Sequence, residues 1–207
     1  QDITEWVLDN ALSALTEFRK IHNSLYIAVN ISGRDCQNRT SLVKKVKSML
    51  VSHNLPGNAL ELEITENIYI EDLEAVSELL IELKDLGVKI AIDDFGTGYS
   101  SLTHLLNLPL DTLKIDKSFI NDIQESPMKL GVVKGIIAIA NSLGMRCVAE
   151  GVELVEQFNK LEELDCHCFQ GYLFSRPVSK KQFIDLCLSE YITTYSLINR
   201  KRLAQEV

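Results

Sequence analysis

The chain has 207 residues, 46% of them apolar and 24% charged, with 10 Gly and 4 Pro. This ordinary globular composition excludes collagen-like, low-complexity and mostly disordered chains. Its 21 basic and 29 acidic residues give a net charge of −8, the reverse of a surface that neutralises a phosphate backbone, so a nucleic-acid polymer is excluded as a partner. The longest apolar candidate, Val132 to Ala140, contains Lys134 and falls well short of the ~20 residues that span a bilayer.

Helical and extended signals alternate along the chain. Asp2 followed by Glu5 matches a capping box, and Ile3, Val7, Ala11, Leu15 and Phe18 then repeat at helical spacing. Leu25–Ile31 reads as a strand, Thr40–His53 as a helix ending near Pro56-Gly57, and Leu60–Thr65 as a second strand. Leu73, Val76, Leu80 and Leu83 form one helical stripe closed by Gly87, before the strand Val88–Asp93. A short helix near Ser100–Leu106 precedes the strand Thr112–Asp116. A helix over Met128–Leu143 stops at Gly144, before the strand Met145–Glu150. Leu154–Leu164 reads as helix, Cys166–Gln170 as extended, Lys180–Leu188 as helix, and Tyr191–Val207 as a peripheral helix or tail. Such alternation with short connections predicts an α/β fold with a parallel sheet and crossover helices. Leu86–Asp93 also aligns without gaps on Leu143–Glu150, as two equivalent helix-to-strand units would.

Five cysteines, Cys36, Cys147, Cys166, Cys168 and Cys187, do not make a disulfide framework and read as reduced thiols of a cytoplasmic protein. Cys166-His167-Cys168 lacks a second ligand pair at zinc spacing, and strand alternation turns His167 away from its neighbours. Buried thiols are the simpler reading.

The strands share one feature that burial alone does not require. Each ends in an acid or an amide: Asn30, Glu63 with Glu66, Asp93 with Asp94, Asp116, Glu150 with Glu153, and Gln170. In a parallel barrel all these ends open on one face. Unpaired carboxylates gathered there would repel one another, and one or two divalent cations resolve that; all-oxygen ligands suit Mg²⁺, Mn²⁺ or Ca²⁺. Each residue also has a structural alternative as a helix cap, a turn or an ordinary ion pair. Two cations could activate water for in-line attack on a phosphodiester, with Lys114 orienting that water. Metal-assisted proton abstraction beside a carboxylate, as in enolase-type barrels, is an alternative chemistry for such a set.

Asn30-Ile-Ser32, Glu63-Ile-Thr-Glu66, Asp93-Asp-Phe-Gly-Thr-Gly-Tyr-Ser-Ser101, Lys114-Ile-Asp116, Glu150-Gly-Val-Glu153 and Gln170-Gly-Tyr-Leu-Phe174 form an ordered series. It resembles the EAL-domain family of bacterial phosphodiesterases that linearise cyclic di-GMP to pGpG. The resemblance implies a TIM-type (β/α)8 barrel with Mg²⁺ or Mn²⁺ as cofactor, two ions in all, and Ca²⁺ as an inhibitor. It implies Asn30, Glu63 and Asp93 as ligands of a first metal, with Asp93 bridging to a second held by Asp94 and Glu150. Lys114 and Asp116 are implied as the pair that positions water, and Glu150 also as general base. Glu66 is implied to steady the Asp94–Ser101 loop, a segment the family uses in homodimer contacts, with Glu153 and Gln170 in support or on the substrate side.

The Glu-Ala-Leu segment that names the family does not occur in the chain. A complete barrel of this type takes roughly 250 residues. The expectation is therefore a partial barrel over residues 1–190 with about six strand-helix units, the first two strands missing, then a tail over 191–207. A chain opening at Gln1 reads as an excerpt of a longer polypeptide, with room upstream for a sensor or GGDEF domain and for a membrane tether. A catalytically silent cyclic di-GMP receptor is the alternative function.

Overall fold

The computed structural model describes residues 3–66, 73–98 and 102–188. Three of the sequence expectations, the cap Asp2, the loop residues Tyr99–Ser101 and the tail Tyr191–Val207, lie outside the described residues. The described residues form two compact units. One runs to Lys114 and includes Leu143–Met145; the other comprises Ile115–Ser142 and the chain from Arg146 onward.

The first unit contains α1 (Ile3–Phe18), β1 (Ile27–Asn30), α2 (Gly33–Gln37), α3 (Arg39–Ser52), β2 (Leu60–Thr65), α4 (Leu73–Asp85), β3 (Lys89–Phe95), α5 (Leu102–Asn107) and β4 (Thr112–Ile115), whose last residue passes to the second unit. β1 pairs parallel with β2, with Ile27 opposite Leu60 and Asn30 opposite Glu63. β2 pairs parallel with β3, with Glu63 opposite Ala91 and Thr65 opposite Asp93. Parallel neighbours need crossover connections, which α3 and α4 supply. β2 is buried along both faces, Leu60, Leu62 and Ile64 on one and Glu61 and Glu63 on the other.

α1 departs from the expected stripe. Leu8, Leu12 and Leu15 are its buried residues, while Ile3 and Trp6 are exposed and Val7 is at the margin. The helix carries apolar residues on two sides, so periodicity alone could not choose between them. Contact with α3 and β1 selects the leucines. An ion pair, Lys45 Nζ to Glu5 at 3.2 Å, ties α1 to α3, and a hydrogen bond between His53 Nε2 and Asp9 at 2.8 Å ties it to the cap of α3. Helix α2, at five residues, is too short to show a periodic repeat. Its signal is a capping box in which Ser32 and Asp35 each bond the other's backbone N–H.

The second unit contains α6 (Lys117–Ile120), α7 (Pro127–Ser142), β5 (Arg146–Glu150), α8 (Val155–Glu163), β6 (Cys168–Gln170) and α9 (Lys180–Leu188). β5 and β6 are parallel, with Val148 opposite Cys168 and Glu150 opposite Gln170. Three rings, Phe158, Phe169 and Phe174, meet with centroids 4.8 to 6.3 Å apart and anchor β6 to α8. The repeated helix-to-strand unit is visible in the backbone: Gly87 (φ 84°) and Gly144 (φ 68°) both close a helix in the left-handed conformation.

All five cysteines are free thiols. Cys166 is buried, with its Sγ directed at the Cys147 and Cys168 carbonyls, whereas His167 is exposed and pairs with Asp165. Burial, with a contribution from Asp35, pushes the Cys36 thiol up to about 11, so it is an inert core residue. Among the described residues no helix is long and apolar enough to cross a membrane.

The entry to β4 is fixed by one carboxylate. Asp111 accepts from Lys84 Nζ at 2.6 Å, Lys89 Nζ at 2.9 Å and the Ile90 N–H at 3.0 Å. Burial opposes its ionisation, but these bonds outweigh that and hold its pKa below the ordinary value. A depressed folded pKa stabilises the fold above the unfolded pKa and loses that contribution as pH falls through the folded one. Asp111→Asn is expected to cost about 1–2 kcal/mol at pH 7, a gap that narrows below about pH 4, as thermal melts across pH will show.

Candidate active site

In the first unit, the acids at the ends of β2 and β3 lie against one lysine. Lys114 Nζ is 2.7 Å from Glu63 Oε1 and 3.0 Å from Asp93 Oδ1, and all three side chains are buried. Two small facts permit this. Residues two apart on a strand share a face, so Glu61 and Glu63 project together, as do Thr112 and Lys114. Opposite Glu63, β3 presents Ala91, whose short side chain leaves room for the lysine stem.

Burial raises the Glu63 pKa, Lys114 works in the opposite direction, and Asp93 and Glu61 add to the rise. Carboxylates there outnumber the ammonium that serves them. With Asn30 beside Glu63 in the β1–β2 register, the donors are all oxygen, hard and negatively charged. That chemistry fits a divalent cation of the Mg²⁺ or Mn²⁺ type.

Asp94 follows with a left-handed backbone (φ 54°), a conformation that Asp tolerates better than most residues. Its N–H donates to Asp93 Oδ1 at 3.0 Å, and Thr97 Oγ1 donates to its carbonyl at 2.9 Å. Glu66, 2% exposed, accepts from both the Gly96 and Gly98 N–H groups at 3.1 Å. A Cβ on Gly98 would lie 3.1–3.3 Å from that carboxylate, a tight contact that the glycine avoids. Both bonds fall within the segment after Asp94, up to Gly98.

In the second unit, Asp116 caps α6, accepting from the Ser118 N–H at 2.9 Å. Burial opposes its ionisation and the cap bonds outweigh that, so its pKa is lowered. Glu150, Glu153 and Gln170 line one open cleft of about 740 Å³, together with Lys117, Tyr172 and Arg176. The Arg176 guanidinium lies 4.5 Å from the centre of the Tyr172 ring.

Two features of this unit carry no clear signal in the sequence. Gln157 is buried on α8; its Oε1 accepts from the Glu153 and Leu154 N–H groups, and its Nε2 donates to the Ile120 carbonyl. It ties the loop after Glu150 to α6. The available signal was a polar residue three positions into the helix, the N3 site of a capping box. Gly171 is a close approach of two backbone segments: a Cβ there would stand 2.1 Å from the Val152 carbonyl oxygen. The backbone there is locked by Val152 N–H to Gln170 O and Leu173 N–H to Val152 O, both 3.0 Å.

A profile of the EAL domain matches residues 1–177. The chain belongs to the EAL-domain family. It is 38% identical over 183 residues to the cyclic di-GMP phosphodiesterase PA2567 of Pseudomonas aeruginosa, covering 88% of this chain and 31% of that protein. Among solved structures, the PaMucR phosphodiesterase in complex with c-di-GMP superposes with a TM-score of 0.83 at 40% identity, covering 87% of this EAL chain and 73% of that one. The Klebsiella pneumoniae BlrP1 manganese/cy-diGMP complex gives 0.76 at 30% identity, covering 84% and 44%. The fold is thus that of the EAL domains, a TIM-type (β/α)8 architecture, of which the described residues hold six strands. The chain spans 22% to 31% of the length of the first curated relatives it matches.

Two substitutions probe the geometry. Lys114→Met leaves Glu63 and Asp93 buried without that ammonium and is expected to cost about 3–5 kcal/mol in denaturant melts without added metal. Gly171→Ala must displace the Val152 backbone and should cost about 3 kcal/mol, with loss of the Tyr172–Arg176 stack by crystallography.

Proposed function

We propose that the protein hydrolyses one phosphodiester bond of cyclic di-GMP to linear pGpG with Mg²⁺ or Mn²⁺. The observation that carries this reading is the buried Glu63–Asp93 pair on Lys114, in a chain of the EAL family whose relative PA2567 is named a cyclic di-GMP phosphodiesterase. Asn30, Glu63 and Asp93 would hold one ion, and Asp93, Asp94 and Glu150 a second. Bound there, the cations would supply an activated water and neutralise phosphate charge.

The chain's own residues do the rest. Lys114 holds the water and steadies the charge that grows on phosphorus-bound oxygen. Asp116, fixed by its capping bond, orients that water with it. Water oxygen bonds to phosphorus, the P–O3′ bond breaks, and the 3′ oxygen takes a proton from solvent water to leave as the hydroxyl of pGpG. Glu150 accepts the water's proton. Glu66 keeps Asp94 in place through Gly96 and Gly98, and Gln157 does the same for the loop bearing Glu153. Glu153 and Gln170 line the substrate side.

We further assign a homodimer contact to the segment following Asp94, place the protein in the cytoplasm, where reduced thiols persist, and expect a sensor or GGDEF domain in the same polypeptide. Ca²⁺, with its looser coordination, is expected to inhibit.

The test is incubation with cyclic di-GMP and Mn²⁺ followed by chromatography. Linear pGpG is expected from the wild type, with at least a hundredfold loss in Asp93→Asn. A folded protein that binds cyclic di-GMP and releases no pGpG would overturn the enzyme reading in favour of a receptor.

A further inference from the structure

Two residues below Glu63 on the same face of β2, Glu61 is buried to 3% exposure, and nothing in the proposed reaction uses it. Its Oε2 accepts from the hydroxyl of Thr112 at 2.9 Å, and Thr112 is itself 1% exposed. Thr112 stands two residues before Lys114 on β4. Two side-chain links therefore run from β2 to β4 one above the other, Glu61 to Thr112 and Glu63 to Lys114. Within this unit the strands lie in the order β2, β3, β4, so both links cross over β3.

Stability does not account for a carboxylate at this position. Desolvating one costs several kcal/mol, and the other face of the same strand is filled by Leu60, Leu62 and Ile64. Buried polar pairs do something an apolar contact cannot, since a directional bond fixes one relative placement of the two strands. Placement matters most one tier up. Lys114 reaches Glu63 and Asp93 through a flexible four-carbon stem, so a sub-ångström slip of β4 against β2 would let the ammonium settle elsewhere.

We propose that Glu61 is a positioning residue for the proposed metal centre: its hydrogen bond from Thr112 clamps β2 to β4 across β3 and so sets the reach of Lys114 to Glu63 and Asp93. The inference rests on the metal-site reading above and deepens it. Glu61 touches neither substrate nor metal; it acts through the tier above.

The test compares Thr112→Val, a near-isostere lacking the hydroxyl, with Glu61→Leu, Glu61→Gln and the Thr112→Val/Glu61→Leu double variant. Mn²⁺ affinity is measured by titration calorimetry without substrate, and the Lys114 side-chain ammonium is followed by ¹H–¹⁵N NMR without metal. Thr112→Val and Glu61→Leu should each weaken Mn²⁺ binding about tenfold, the range seen when supports of metal ligands are removed. The double variant should be no weaker than either, because both remove one bond. Glu61→Gln, which keeps the acceptor, should stay within about threefold of wild type. Lower thermal stability with unchanged Mn²⁺ affinity, or additive losses, would overturn the proposal, as would Glu61→Gln binding as weakly as Glu61→Leu. Failure of the wild type to bind Mn²⁺ counts against the metal reading instead. The NMR arm then decides the clamp: a sharp ammonium signal in wild type and Glu61→Gln that is lost in Thr112→Val and Glu61→Leu supports it, and a signal unchanged in all variants overturns it.

Discussion

A buried ammonium between two buried carboxylates is the constraint around which the first unit is arranged. Lys114 meets Glu63 at 2.7 Å and Asp93 at 3.0 Å. Removing three such charges from water is tolerable only where their geometry is good and their remaining positions are satisfied. The sheet meets that demand by covering β2 on both faces, by placing Ala91 where bulk would block the lysine, and by lodging Glu61 and Thr112 beneath. Carboxylates still exceed the ammonium in number, and the Glu63 pKa is raised, chiefly by burial, with Asp93 and Glu61 adding to the rise against Lys114. A site that would be costly as pure architecture is apt for a ligand that brings positive charge.

The loops that follow the strands are held by side chains that take no part in the chemistry. Glu66 gathers two backbone amides of the turn after Asp94, and Gln157 gathers two from the loop after Glu150. Both are buried, so neither amide pair competes with water. At Gly171 the constraint is steric, because two backbone segments touch where any larger residue would part them. Precision at such a site comes from these supports as much as from the residues that face the ligand.

Legibility followed the length of the signal. β2 and α9 are found at their expected residues; the strand carries five buried positions in a row, Leu60 to Ile64. The helices α2 and α6, five and four residues long, are too short to show a period and are visible only through the caps Ser32 and Asp116. In α1 the period was clear and the face was not, since the leucines and the Ile3–Val7 side are equally regular. The acids and amides at the strand ends were legible one by one, each with a structural alternative of equal standing. Asp116, whose structural alternative was an ion pair with Lys114, instead caps α6, whereas Glu63, Asp93 and Lys114 form a buried cluster.

By itself, then, the sequence determined the class of fold, the direction of the strands and the inventory of oxygen donors at their ends, because these follow from local period and residue type. Tertiary structure decided which donors share a partner. Lys114 is two strands and some fifty residues from Glu63 in a linear reading, roughly the distance over which no local pattern operates. The sheet order β2, β3, β4 brings the two together over β3, where Ala91 lies opposite Glu63, and the same order gives Glu61 its partner in Thr112.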